Sequence, residues 1–270
     1  MPPVACLPMY DFPQLRAAHD RLWSFIASRL RAAGVENGPA HLNWEPRPLP
    51  ALWSDPTLLF SQTCGYPLVS GLAGAARVVA APVYRFPGCE GATHRSFILV
   101  AAGNPARSLR ELRGSRCVLN GEDSNTGMNL LRAAVAGLGV NGPFFATVRV
   151  VGAHAASVAE IAAGRADIAA IDCVTHAYLA RFDPDAVART RILAESQPSP
   201  ALPIITGSQT PDAVVHALAD ALLAVGDAAE LAETRDTLGL AGFVPASRAT
   251  YDAIRDLERF AIERGYPRLC

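Results

Sequence analysis

Apolar residues recur at helical spacing from residue 15 to residue 30, where Leu15, Leu22, Phe25, Ile26 and Leu30 form one stripe that Gly34 ends. Ahead of this stripe "VACLPM" reads as a short strand, and Asp11 is the expected N-cap, with Pro13 in the first turn and Gln14 three residues on. The chain therefore opens as a βα unit. Farther along, the apolar runs shorten to strand length in "PTLLFSQ", "ARVVAAP", "RSFILVAA", "RCVLN", "ATVRVV" and "ADIAAID", and "HLNW" reads as another strand. Helical patterns separate most of them: "CGYPLVSGL", "SLRELRG", "NLLRAAVAGLG", "HAASVAEIAAG" and "CVTHAYLARF". Such alternation predicts an α/β fold of mostly parallel sheets flanked by helices. After "RTRILAESQPSPALPIIT", two strand pieces around a stiff Pro-Ser-Pro, the remainder reads as mostly helical, and its last helix carries Tyr251, Ile254, Leu257 and Ala261 on one face.

The texture breaks after Tyr84, where "RFPGCEGATH" is rich in turn residues, and again at residues 197–200. These two breaks predict hinge crossings between a first lobe, residues 1–84 with 197–270, and a second, residues 85–196. Ligands of open α/β sheets gather outside the carboxyl ends of the strands, so polar residues that end apolar strands are expected to face a cleft between the lobes. That criterion selects Tyr10 and Asp11, Gln62 and Thr63, Tyr84, Asn120, Gly152 to His154, and Asp172.

The stretch "NGEDSNTGMNLLR" places polar residues at the mouth of a helix. With Ser124 as N-cap, Asn125, Thr126 and Gly127 fill the first turn, where backbone N–H groups lack intrahelical acceptors and the helix dipole is positive. Hydroxyls and amides around one point suit an oxyanion, and Gly127 admits it close to the backbone. Taken alone, the fragment reads more readily as a plain capping serine followed by polar residues with no ligand. His154, between a strand and a helix, can donate to the same anion or serve as a buried histidine. Asp172 reads as an N-cap or as the partner of a cationic group. Arg95 supplies counter-charge or is solvated, and Tyr10 and Tyr84 wall the site or pack.

Composition narrows the chemistry. The chain has 270 residues, half of them apolar and 18% charged, with 24 basic against 25 acidic residues. Neither sign forms a block, which argues against a nucleic-acid partner. Every basic residue is arginine, so Schiff-base chemistry, a pyridoxal phosphate anchor and a Walker A lysine are excluded. No apolar run approaches the roughly 18 residues of a membrane span, so membrane insertion is not expected. Six cysteines lack the spacing of a zinc site, so neither metal nor cofactor is expected. Cys117 and Cys173 read as small buried hydrophobes, while Cys64 and Cys89 can bridge in an oxidising compartment. Residues 1–8 lack a signal pattern, which reads as cytoplasmic for the chain as given.

Taken together, "NGEDSNTGMNLLR", "GAHAASVAEIAAGRADIAAID" and "LFSQTCGYP" resemble the phosphate, phosphite and phosphonate-binding proteins of ABC importers, which have the two-lobed type 2 periplasmic binding fold. The resemblance implies that Ser124, Thr126 and Gly127 grip the anion, that His154 and Asp172 stand in the following loops, and that Tyr84 walls the site. It differs at Asn125, where the family often has a small hydroxyl residue, and at Met128, where an aromatic residue often stands. It implies a small anionic ligand, ABC permease partners and a periplasmic location if a signal was removed. Two other readings stay open at this point: a cytoplasmic enzyme of the same architecture, like those of the menaquinone pathway, with His154 as general base beside a small carboxylate, and a ligand sensor.

Overall fold

The computed structural model describes residues 2–72 and 74–270. It divides into two compact units, the first made of Met1–Arg85, Glu90–Ala92 and Pro200–Tyr251, the second of Phe86–Cys89, Thr93–Ser199 and Asp252–Cys270. In chain order the strands are β1 (Val4–Ala5), β2 (Leu58–Gln62), β3 (Ala76–Tyr84), β4 (Thr93–His94), β5 (Ser96–Ala101), β6 (Arg116–Leu119), β7 (Thr147–Val150), β8 (Ala169–Asp172), β9 (Thr190–Glu195), β10 (Ser199–Pro200), β11 (Ile204–Gly207) and β12 (Leu240–Pro245). The helices are α1 (Arg16–Ala32), α2 (Leu49–Trp53), α3 (Gly65–Ser70), α4 (Leu130–Ala136), α5 (His154–Ala162), α6 (Cys173–Phe182), α7 (Pro184–Ala188), α8 (Asp212–Leu223), α9 (Ala232–Leu238) and α10 (Asp252–Glu263).

The first unit is built on one sheet, ordered β1-β2-β11-β3-β12. β1 and β2 pair in parallel; β11 runs antiparallel to both β2 and β3, and β12 antiparallel to β3. Helix α1 packs on α8 and α9 and buries Leu22, Trp23, Ile26 and Leu30, with Trp23 stacked on Phe60 at 5.0 Å. Burying four such side chains contributes several kcal/mol at about 25 cal/mol per Å². The helix ends at Gly34, whose φ of +86° lies in the left-handed region that glycine enters at little cost. Asp11 does not cap this helix; it forms a two-bond ion pair with Arg16 at 2.6 Å. "HLNW" is not a strand either. Asn43 Oδ1 accepts from the Glu45 N–H at 2.8 Å, and this Asx turn competes with extended pairing. β12 lies between two of the helical patterns of the last third, in a segment for which the sequence pattern names no element; Gly242 is needed there because a Cβ would stand 3.0 Å from Gly226 Cα.

The second unit centres on β5, which pairs antiparallel with β8 and β9, while β6 pairs in parallel with β7 and bridges in parallel to the approach to β8 through Cys117 and Ile168. The order is thus β7-β6-β8-β5-β9. In both units the α/β class stands, but the strand directions are mixed where the alternating pattern predicts nearly parallel sheets. The chain returns through β9 and β11 in the opposite sense to the strands beside them. Residues 252–270, predicted with the first lobe, belong to the second unit, since α10 packs on α4 with Ile254 and Ala261 buried. Side chains fix that placement: Asn129 Nδ2 donates to the Ile254 carbonyl at 3.2 Å, and Arg132 to the Pro267 carbonyl at 2.9 Å.

Candidate functional site

Four segments of the second unit converge on Thr126. Ser124 is extended and its Oγ accepts the Gly127 N–H at 2.9 Å, which is the N-cap that the sequence predicts. Beyond it the helix opens with a π-helical turn, Asn125–Asn129, before α4. The Asn129 N–H reaches back to the Ser124 carbonyl at 3.0 Å. Such widened turns displace side chains from the ordinary helical face and recur at functional sites. Thr126 Oγ1 lies 3.0 Å from His154 Nε2, at the first residue of α5, and its carbonyl accepts the Ser96 hydroxyl at 2.7 Å. Ser96 stands opposite Asp172 in the β5–β8 ladder.

Asp172 ends β8 and caps α6, its Oδ1 accepting the Thr175 N–H at 2.8 Å. Its other oxygen, Oδ2, lies 2.9 Å from His94 Nδ1, with the two side chains 3% and 1% exposed. The approach is an ion-pair contact rather than a well-aligned hydrogen bond, and His94 Nε2 is buried with no partner among the described residues. Burial opposes charge on both groups. The contact with Asp172 outweighs it for His94, whose pKa is raised, and the contact with His94 outweighs it for Asp172, whose pKa is lowered. His154 goes the other way: burial, assisted by the His94 charge and opposed by that of Asp172, pushes it down to about 4. Burial thus favours the neutral imidazole at His154, while the contact with Asp172 favours the charged form of His94. His94 escapes sequence reasoning because it sits on a two-residue strand without periodicity, and only the register of β5 against β8 brings it to Asp172.

The remaining predicted residues divide. Asn125 turns into the protein, its Nδ2 donating to Ser199 Oγ at 2.8 Å and its Oδ1 accepting from Asn129 at 3.2 Å. Gly127 has a different neighbour from the expected oxyanion: a Cβ there would stand 1.7 Å from Asn120 Oδ1, so the glycine makes room for the Asn120 amide. That oxygen is itself buried without a hydrogen-bond partner among the described residues. Arg95 donates to the Ser196 carbonyl at 2.9 Å and lies 3.9 Å from Glu195, within its own sheet. In the first unit, Gln62 Nε2 donates to the Leu202 carbonyl at 3.1 Å and Thr63 Oγ1 to the Cys64 carbonyl at 3.2 Å. Tyr10 and Tyr84 meet edge to face at 5.8 Å. No disulfide joins Cys64 to Cys89; Cys89 Sγ lies 3.5 Å from Cys173 Sγ instead. Among the described residues no group of His, Cys, Asp and Glu is arranged to hold a metal ion.

Residues 58–251 match the model of the family described as ABC transporter, phosphonate, periplasmic substrate-binding protein. The chain belongs to this family. Membership places it among solute-binding proteins of ABC importers, not among enzymes, and implies a small-molecule ligand and permease partners. Solved structures share the fold at low identity. The binding-protein component of an ABC phosphonate transporter from Pseudomonas aeruginosa has a TM-score of 0.77 at 15% identity, over 98% of this chain and 88% of that one. PhnD1 from Prochlorococcus marinus, in complex with methylphosphonate, has a TM-score of 0.74 at 14% identity, over 96% and 98%. A Xanthomonas citri protein bound to ATP gives 0.71 at 15%, covering 98% of each chain. A comparison with curated proteins gave no match. Among the described residues no helix is long and apolar enough to cross a membrane.

Proposed function

We propose that the solute is a small oxyanion of the phosphonate, phosphite or phosphate kind, held where helix 125–136 begins. The observation that carries this reading is the contact of Thr126 Oγ1 with His154 Nε2 at 3.0 Å at the positive end of a helix. The Ser124 hydroxyl, already an acceptor for Gly127, still has its own proton to donate. The family and the methylphosphonate carried by one structural relative support the same chemistry. Charge-assisted hydrogen bonds contribute about 1.5–3 kcal/mol each, so four or five exceed the roughly 8 kcal/mol of a micromolar complex and offset the cost of ordering. A catalytic reading fits the cluster less well: with its pKa at about 4, His154 is a weak base at neutral pH.

Calorimetric titration with methylphosphonate, phosphite, phosphate, a sulfonate and a small carboxylate tests the proposal. Micromolar or tighter binding of one of the phosphorus oxyanions, with no turnover, is the expected result. Tightest binding of the carboxylate, or no binding at all, would contradict it.

A further inference from the structure

The cluster around Thr126 holds a carboxylate as well as the groups suited to an anion, and the two conflict unless the carboxylate is compensated. Asp172 faces Ser96 across the β5–β8 ladder, and Ser96 in turn donates to the Thr126 carbonyl, so its charge sits one residue from the anion site. In a buried setting such a charge repels an incoming oxyanion far more than it does in water. The group set against that charge is His94, whose Nδ1 lies 2.9 Å from Asp172 Oδ2, because the neighbouring Arg95 is directed to Ser196 and Glu195. We propose that His94 sets the charge selectivity of the solute site: by occupying Asp172 it admits a bare oxyanion and denies a ligand's ammonium group the carboxylate it needs.

This inference rests on the oxyanion reading above and sharpens the substrate class within it. Both oxygens of Asp172 already have partners, Oδ1 the Thr175 N–H and Oδ2 the His94 ring, so an ammonium tail entering beside Thr126 finds no open acceptor there. An unpaired ammonium loses hydration without return, which is how a site rejects a ligand by leaving a polar group unmatched. The second ring nitrogen of His94 adds an independent pointer. Nε2 is buried with no partner among the described residues, and in an imidazolium it carries an N–H that a ligand oxygen can satisfy. Asp172 serves here as a positioning and charge-balancing group, and His94 as the residue that determines specificity.

The test titrates the whole protein with methylphosphonate and with 2-aminoethylphosphonate, which differ by an ammonium-bearing carbon arm. Wild-type protein is expected to prefer methylphosphonate by at least tenfold. His94→Gln exposes the Asp172 charge, so methylphosphonate affinity falls at least tenfold and the ratio of the two affinities moves at least tenfold toward the aminoethyl compound. Adding Asp172→Asn removes the charge again, and the double variant regains methylphosphonate affinity over His94→Gln alone, a gain that mere loss of structure cannot produce. Equal wild-type affinities, or a ratio unchanged by His94→Gln in a protein whose circular dichroism is intact, overturns the charge-selectivity proposal and leaves oxyanion capture standing. Failure of the wild type to bind either compound overturns the charge-selectivity proposal, and failure to bind phosphite and phosphate as well overturns the oxyanion reading.

Discussion

The two units treat the polar residues at the ends of their strands in opposite ways. In the first unit Gln62 and Thr63 direct their side chains to the carbonyls of Leu202 and Cys64, and each donor is matched by a local acceptor. In the second unit Thr126, His154, Asp172 and His94 face one another, and the buried His94 Nε2 is left without a partner among the described residues. Burying an unmatched polar atom costs about 1–3 kcal/mol, and beside Thr126 and His154 such an atom is placed to be completed by a ligand oxygen. Position at a strand end selects both groups alike. The pattern of partners separates a residue that holds the backbone from one available to a ligand.

That contrast can be broken by substitution. The largest effect is expected for Thr126→Val, which removes the hydroxyl facing His154: affinity for the preferred oxyanion falls ten- to a hundredfold, about 1.4–2.7 kcal/mol, in calorimetric titration. Thr126→Ser keeps the hydroxyl and is expected to retain affinity within about threefold. A Thr126→Val protein with wild-type affinity would remove the second unit's claim to the solute.

Acid stability probes a histidine in each unit. Burial lowers His19 of the first unit to about 4, as it does His154 of the second. Both bind protons in the unfolded chain near the ordinary value of 6.5 and in the folded protein only near 4, so the unfolded state holds more protons between these values. Stability from these groups is complete above pH 6.5 and is lost as pH falls through 4. His94 has the opposite sign: its raised pKa contributes stability that is present below the unfolded value and lost as pH rises through the folded one. His19→Phe, which can retain a stack on Trp44, is therefore expected to flatten the acid limb of a denaturation series by about 2 kcal/mol without changing oxyanion affinity. An acid limb as steep as in the wild type would show that His19 is not titrating there.

A smaller change is expected from Gln62→Ala. It leaves the Leu202 carbonyl without its donor, so urea denaturation should show a loss of about 1 kcal/mol while oxyanion affinity stays within about twofold. Loss of affinity with unchanged stability would reverse the assignment of roles between the units. The smallest effect concerns Gly127, whose added Cβ collides with the movable end of Asn120. Gly127→Ala should cost less in an Asn120→Ala background, with a coupling of at least about 0.5 kcal/mol in a double-mutant cycle.

Much of this was legible in the sequence where the signal is local. The run from Ile168 to Phe182 reads as a strand, a capping aspartate and a helix, and β8, Asp172 and α6 follow that reading. Ser124 declares its cap by residue type and by the amphipathic run after it. What depends on distant partners stayed hidden. The stripe of α10 says that a face is buried but not that α4 is what covers it, so residues 252–270 read with the first lobe while their contacts lie in the second unit. Strand direction is set by where a long connection returns, which no window of sequence records. The His94–Asp172 pair spans 78 positions and is created by strand register. The π-helical turn depends on the Ser124 carbonyl receiving the amides of both Met128 and Asn129, a bonding choice invisible to apolar periodicity.

The central claim, that the second unit holds an oxyanion where its 125–136 helix begins, is tested most directly by a crystal structure of the protein grown with methylphosphonate. The account predicts phosphonate oxygens within about 3 Å of Thr126 Oγ1 and the His154 ring. A phosphonate bound elsewhere, with the Thr126–His154 contact untouched, would contradict it.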